Sequence, residues 1–238
     1  MRKLMVLCAL ILLCPDFSWA QNGEYTAEVN FFSRLTETFK VPGRPAEEFE
    51  YNLSPLALKL GFEVADTWSL EGRILYARLM ANRSTDNAAL GHLFDLEWSA
   101  GWHPIKQVRV YGGYTYSRLK RDLEFGQQTY NAVTTENGPL FGIGVTADHR
   151  SKWIARSSVD LYPYISVHDT FHPETGSFRR GNLGYRVEGA VGRRISDHMG
   201  LYFTGGYQMI RALEGEGTAS GRHESSLKTA GVGFAFNF

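Results

Sequence analysis

Between Glu24 and the C terminus, apolar and polar residues alternate with a period of two. Tyr25, Ala27, Val29 and Phe31 alternate with Thr26, Glu28 and Asn30, and Leu56, Leu58, Leu60, Phe62 and Val64 with Ala57, Lys59, Gly61 and Glu63. Phe94, Leu96, Trp98, Ala100 and Trp102 repeat the pattern, and Phe234, Phe236 and Phe238 close it. Period two is the strand period. Ten such segments follow one another, near 24–34, 54–65, 68–80, 90–102, 107–118, 138–148, 157–168, 182–194, 199–210 and 226–238. A tilted strand needs about 9–11 residues to cross a bilayer, whereas strands of ordinary sheets run to about 5–6. The pattern predicts an all-β fold, a closed antiparallel transmembrane β-barrel of about ten strands, with eight or twelve as alternatives.

The connections alternate in length. Ala65–Thr67, His103–Lys106, Asp148–Arg156 and Ile195–His198 are short. Leu35–Leu53, Ala81–Ala89, Leu119–Asn137, Asp169–Gly181 and Arg211–Ser225 are long and polar. Short periplasmic turns and long outer loops are the pattern of bacterial transmembrane barrels. An even strand count puts both ends on the periplasmic side. Closure is required, because an open edge in hydrocarbon leaves backbone N–H and C=O groups unsatisfied.

In such a barrel apolar side chains face lipid and polar ones the lumen. Leu58, Leu60, Phe62, Ile74, Phe94, Leu96, Val110, Ile143, Val145, Leu161, Val187, Phe203 and Phe234 fall on the lipid side. Trp68, Trp98, Trp102, Tyr114, Tyr116, Trp153, Tyr185 and Tyr207 are candidates for interfacial girdles. The lumen side carries Glu28, Lys59, Glu63, Glu71, Arg73, Asp95, Glu97, Arg109, Asp160, Arg186 and Glu188, interleaved with glycines such as Gly101, Gly113 and Gly142. Acids and bases confined together must pair or be hydrated. They form either a network that plugs the lumen or a narrow charged ion path. Ten strands give little more room than eight, which only just hold their own side chains, so a plugged lumen is expected. Pro163 falls on the lipid-facing set, where it removes a ladder hydrogen bond.

The first 20 residues read differently. Arg2 and Lys3 precede an apolar run, Leu4 to Leu13, and Ser18-Trp19-Ala20 ends it with small residues at the positions a signal peptidase reads. Residues 1–20 are expected to be a cleaved signal peptide and 21–238 one barrel domain. Cys8 and Cys14 both lie in that leader, so the barrel has no cysteine and no thiol chemistry. Lys+Arg and Asp+Glu are 25 each, giving no basic excess and no sign of a nucleic-acid partner. Nothing predicts a cofactor. The expected location is the cell outer membrane, with the lipid bilayer and lipopolysaccharide as partners.

The last strand, ending on Phe234, Phe236 and Phe238, resembles the C-terminal assembly signal of outer-membrane barrels, which implies the outer-membrane assembly machinery as a further partner. At the outer rim lie Asp86, His168, Asp169 and His172. With ten strands and long loops, this set resembles the omptins, ten-stranded outer-membrane proteases that activate water with an aspartate pair in the second outer loop and an Asp/His pair in the fourth. The second loop here, Ala81-Asn-Arg-Ser-Thr-Asp86-Asn, has a single Asp, and His168-Asp-Thr-Phe-His172 departs from the family spacing. An omptin-like rim hydrolase built on these four residues is the alternative reading, and no catalytic residue is assigned. His223-Glu224-Ser225 faintly resembles the lipid A deacylase barrels, without an acid to orient the His. The histidines are scattered and four-residue spacing makes a ligand pair only on a helix, so no metal site is predicted. The outer loops carry Phe39, Phe49, Tyr51, Phe125, Tyr130, Phe171 and Phe178 among their charges, a surface suited to binding an extracellular ligand the sequence does not identify. The expected role is structural, binding or narrow-channel.

Overall fold

A computed structural model arranges the chain as one closed antiparallel barrel in which every strand pairs with its sequence neighbours and the first pairs with the last. The strands are β1 (Asn22–Lys40), β2 (Ala46–Ala65), β3 (Trp68–Ala81), β4 (Ala89–Ile105), β5 (Val108–Phe125), β6 (Gln128–Asp148), β7 (Trp153–His172), β8 (Gly176–Arg194), β9 (Met199–Ala212) and β10 (Gly221–Asn237). The structure describes residues 22–40, 46–81, 89–125, 128–148, 152–172, 176–196, 198–212 and 221–237, with 22–32 and several strand ends described by backbone alone. Residues 1–20, Asp86 and Phe238 lie outside the described residues, as does the side chain of Glu28.

Ten strands match the periodicity, but they run to between 14 and 21 residues, longer than the bilayer requires. The added length comes from segments that read as loops. Leu35–Leu53 is mostly the end of β1 and the start of β2, and Leu119–Asn137 and Asp169–Gly181 are likewise mostly strand. The barrel therefore continues outward as paired hairpin arms.

Two bulges hide this continuity from the sequence. On β1, Asn30 pairs with Gly231 and Phe32 with Ala230, which leaves Phe31 as an extra residue. On β7, Tyr162 pairs with Gly184 and Ile165 with Asn182, so Pro163 and Tyr164 stand opposite Leu183 alone. Each bulge shifts the phase of its strand by one, and a one-residue shift exchanges the faces. Asp160 and Tyr162 face inward before the second bulge; Ile165, Val167 and Asp169 face inward after it. Pro163 thus sits where the ladder is already interrupted, which accounts for a proline inside a membrane-length strand.

Along the axis the two faces change character. Near the end that carries the termini, the outward residues are apolar: Trp68, Leu70 and Tyr76 on β3, Trp102, Trp98 and Leu96 on β4, Phe141, Ile143 and Val145 on β6, Phe203 on β9. From Trp68 to Tyr76 this belt spans about 21 Å for a strand tilted by roughly 40°, close to the ~25 Å apolar band of such barrels. Trp68 pairs across the sheet with Trp102 at its inner border. Tyr76, Tyr114 and the Tyr185–Tyr207 ring pair, 6.0 Å apart, lie toward the outer one. Beyond the belt the pattern reverses. Outward positions become Ser54 and Asn52 on β2, Arg78 on β3, Arg118 and Lys120 on β5, and Thr170 on β7, whereas Tyr51, Leu53, Leu75, Leu79, Leu93, Leu119 and Tyr130 turn inward and are buried. The outer half of the barrel is thus built like a water-soluble one, greasy inside and polar outside. This corrects the expectation of a polar lumen along its whole length.

Candidate functional site

The inner half of the lumen holds Lys59, Glu71, Arg73, Glu97, Arg109, Asp160, Arg186 and Glu188. Arg186 is the hub. Its guanidinium meets Asp160 Oδ2 at 2.6 Å and Glu97 Oε1 at 2.6 Å, with Glu188 at 3.4 Å. Arg73 bridges Glu188 at 3.1 Å and Glu97 at 3.6 Å. Arg109 donates to Glu71 at 2.6 Å and to the hydroxyls of Ser69 and Ser99 at 2.9 Å, and Lys59 sits 3.4 Å from Glu71. Acids and bases on six strands are therefore bonded both along the wall, as in Asp160–Arg186 and Arg73–Glu97, and across the bore, as in Glu97–Arg186 and Arg73–Glu188. Charge-assisted hydrogen bonds of this kind offset part of the desolvation of buried charge.

Glycines make the room. A Cβ at Gly101 would collide with the Arg109 guanidinium, and one at Gly142 with the Tyr111 ring and the Asp160 carboxylate. Tyr111 therefore lies across the bare backbone at Gly142 and donates its hydroxyl to Asp160. Sequence reasoning placed these glycines on the lumen face but missed Tyr111, Tyr162, Ser69, Ser99, His103 and Arg156. Tyr111 and Tyr162 look like ordinary aromatic strand residues, and no local signal marks them as partners of Asp160 and Glu97.

Beside this network lies a cavity of about 540 Å³ that reaches the turn end of the barrel through His103, Lys106 and Gln107. Glu63 lines its mouth and is exposed, and Asp95 faces the lumen further out than Glu97 on β4. Outward of the chamber the described lining turns largely apolar. Phe49, Tyr51, Leu75, Leu79, Leu93 and Leu119 pack together from one side of the bore, and Leu140, Tyr162, Ile165, Val167 and Ile210 from the other. Tyr51, Leu79 and Val167 have no exposure to water. Each large apolar side chain withdrawn in this way contributes about 1.5–3 kcal/mol.

A second polar cluster lies at the level of this layer, with Glu37 in register with Phe49 and Thr134 with Leu119. Glu37 Oε2 and Arg121 Nε are 3.1 Å apart with both side chains 0% exposed. Arg121 also donates to Thr134 Oγ1 at 3.0 Å, and Thr134 donates to Asp169 Oδ1 at 2.5 Å. Arg121 and Glu37 lie in stretches that read as solvated loops, so nothing in the sequence marks them as a buried pair.

The rim residues singled out from the sequence fall on two faces. Asp169 pairs in register with Thr134 on the buried face, while His168 pairs with Thr135 and His172 with Asn131 on the outward one. His223 is the extra residue of a bulge between Glu224 and Arg222, and its side chain lies outside the described set. Among the described residues no group of three His, Cys, Asp or Glu side chains is arranged to hold a metal ion.

No family model matches the chain, and no curated protein matches it in sequence. Among solved structures it is similar to the outer membrane protease OmpT of Escherichia coli, with a TM-score of 0.63 at 10% identity over 92% of this chain and 97% of that one. It is also similar to the translocator domain of the autotransporter NalP of Neisseria meningitidis, with a TM-score of 0.55 at 13% identity over 100% of this chain and 96% of that one. At these identities the likeness is one of fold, and it agrees with the apolar belt and the closed ring of paired strands. The chain has the fold of bacterial outer-membrane β-barrels, a closed antiparallel barrel of ten strands.

Proposed function

We propose that this barrel is a non-conducting anchor whose outer hairpin arms are its working surface, and that those arms bind an extracellular ligand. The observation that carries the reading is the apolar layer between the inner chamber and the outer mouth. Ions cross a bore only where water or polar groups can replace their hydration shells. Leu79 and Val167 offer no polar group, and they and Tyr51 are shut off from water. The arms have the opposite construction. Their outward positions are polar, and their inward positions lock them into rigid continuations of the barrel, a scaffold suited to presenting a binding surface.

An omptin-like rim hydrolase would need an Asp and a His within about one water of each other. Asp169 faces inward and His168 and His172 face outward. The binding reading therefore fits this register better.

The test is conductance of the full-length barrel refolded into planar bilayers. The expected result is no single-channel current for the wild-type protein and measurable current for a Tyr51→Ala/Leu79→Ala variant. Stable wild-type channels that persist with both plug residues intact would overturn the proposal.

A further inference from the structure

The chamber in the inner lumen is electrically polarised along its length. Its floor is the end next to the apolar layer, where the Tyr162 hydroxyl reaches Glu97. There three carboxylates, Glu97, Asp160 and Glu188, meet two guanidiniums, Arg73 and Arg186. The mouth has the opposite balance. Lys59, Lys106, Arg109 and Arg156 line it with two acids, Glu63 and Glu71. Glu71 lies 2.6 Å from Arg109 and 3.4 Å from Lys59, so one carboxylate serves two cations.

The cations at the mouth do not stand on one wall. In the closed ring β2 and β7 are five strands apart in either direction, which sets Lys59 and Arg156 on opposite sides of the bore. Arg156 lies over the Tyr202 ring at 5.2 Å. Small side chains hollow the wall beside it: Ala190 and Thr204, paired in register on β8 and β9, and Thr229 on β10. The resulting space of about 540 Å³ falls within the roughly 300–1,000 Å³ of small-molecule sites.

We infer that this chamber binds a small phosphorylated solute with a hydroxyl-rich body, of the sugar phosphate class. The phosphate sits at the mouth between Lys59 and Arg156, and the hydroxyls reach the floor. A phosphate suits cations on opposing walls, because it presents several charged oxygens in different directions and each bond is charge-assisted on both sides. At the floor Glu188, its side chain 32% exposed, is the carboxylate open to a donor. A neutral hydroxyl can donate to it without cost, whereas an ammonium would also meet Arg73 and Arg186 beside it. The site faces the end of the barrel that carries the short turns and the termini. It rests neither on the outer arms nor on whether the lumen conducts.

The experiment is calorimetric titration of the full-length barrel, refolded in detergent micelles, with glucose 6-phosphate, glucose and inorganic phosphate. Saturable binding of glucose 6-phosphate is expected, with the other two probes at least about tenfold weaker. A Lys59→Gln/Arg156→Gln variant should bind glucose 6-phosphate at least about tenfold more weakly, since hydrogen bonds to charged groups are each worth about that factor or more. Ala190→Phe fills the chamber while keeping every charge, and should abolish binding. Arg118→Gln, exposed on the outer wall, should bind as wild type. Heat modifiability on gels establishes that each variant is folded, and the two chamber variants test the site independently. The inference is overturned if glucose 6-phosphate does not bind saturably, if glucose binds as tightly, or if both chamber variants bind like wild type. It is equally overturned if inorganic phosphate binds as tightly, which would mark an adventitious ion only. Absent binding with a silent lumen would strike this inference and leave the sealed anchor standing.

Discussion

Replacing Arg186 with Met should destabilise the barrel more than any other single change in the inner lumen. The side chain touches Asp160, Glu97 and Glu188, and it lies over the Tyr162 ring at 5.9 Å. Without it, Glu97 and Glu188 still have Arg73 at 3.6 and 3.1 Å. Asp160 keeps the Tyr111 hydroxyl but loses the guanidinium that neutralises it, and its side chain is 1% exposed. The perturbation therefore amounts to one uncompensated buried carboxylate, for which the loss is about 3–5 kcal/mol. The neighbouring chamber admits water, which favours the lower end of that range. Urea unfolding of the refolded barrel in lipid vesicles, followed by tryptophan fluorescence, reads the loss directly. Asp160→Asn in the Arg186→Met background removes the stranded charge, so the double variant should recover about 1–3 kcal/mol relative to additive losses. A loss below about 1 kcal/mol for Arg186→Met, with no coupling to Asp160, would refute the claim that these charges brace the bore.

Gly142→Val should cost about 1–3 kcal/mol by forcing Tyr111 and Asp160 apart, measured in the same titration against a Gly72→Ala control, where an added Cβ meets only a backbone oxygen 4.0 Å away. Pro163→Ala should change stability by no more than about 0.5 kcal/mol, because the bulge has already released that ladder position. Phe203, 66% exposed on the outer wall, should lose about 2–4 kcal/mol as Phe203→Arg, whereas Thr170→Arg on the outward face of the arms should be nearly neutral. Leu79→Ala should cost about 2–5 kcal/mol through the cavity it opens, read by urea unfolding.

How much of this was legible beforehand depends on what a period can encode. Alternation over Leu56–Val64 or Phe94–Trp102 identifies a strand and groups its residues into two faces. It does not say which face meets water. Leu75 and Leu79 on β3 alternate with Tyr76, Arg78 and Met80 as regularly as Lys59 and Gly61 alternate with Leu58 and Leu60 on β2, yet the greasy set points inward in one case and outward in the other. The reversal is set by height in the membrane, a tertiary property. The bulges at Phe31 and Pro163 broke the alternation where the arms begin, and the segments read from the pattern, 24–34 and 157–168, stopped a few residues beyond them. Inner-lumen charges such as Arg73, Glu97 and Arg186 were legible because a charge on a membrane strand has one tolerable direction. Arg121 and Glu37 were not, since their polar neighbourhood resembles an ordinary loop and their partnership spans the barrel. The rim set of His168, Asp169 and His172 was adjacent in sequence, but on a strand adjacency separates faces.

The reversal of faces along one strand can be measured on β2. Cys8 and Cys14 are the chain's cysteines, and both precede the barrel, so single cysteines from Glu48 to Glu63 can be spin-labelled without background. The labels would be probed with oxygen and with a water-soluble nickel complex in lipid vesicles. In the arm, labels at Glu50, Asn52 and Ser54 should meet the nickel complex while those at Phe49, Tyr51 and Leu53 meet neither probe. In the belt, labels at Leu58, Leu60 and Phe62 should meet oxygen, and those at Lys59, Gly61 and Glu63 the nickel complex. One unchanged pattern from Glu48 to Glu63, with the same face wet throughout, would contradict the account.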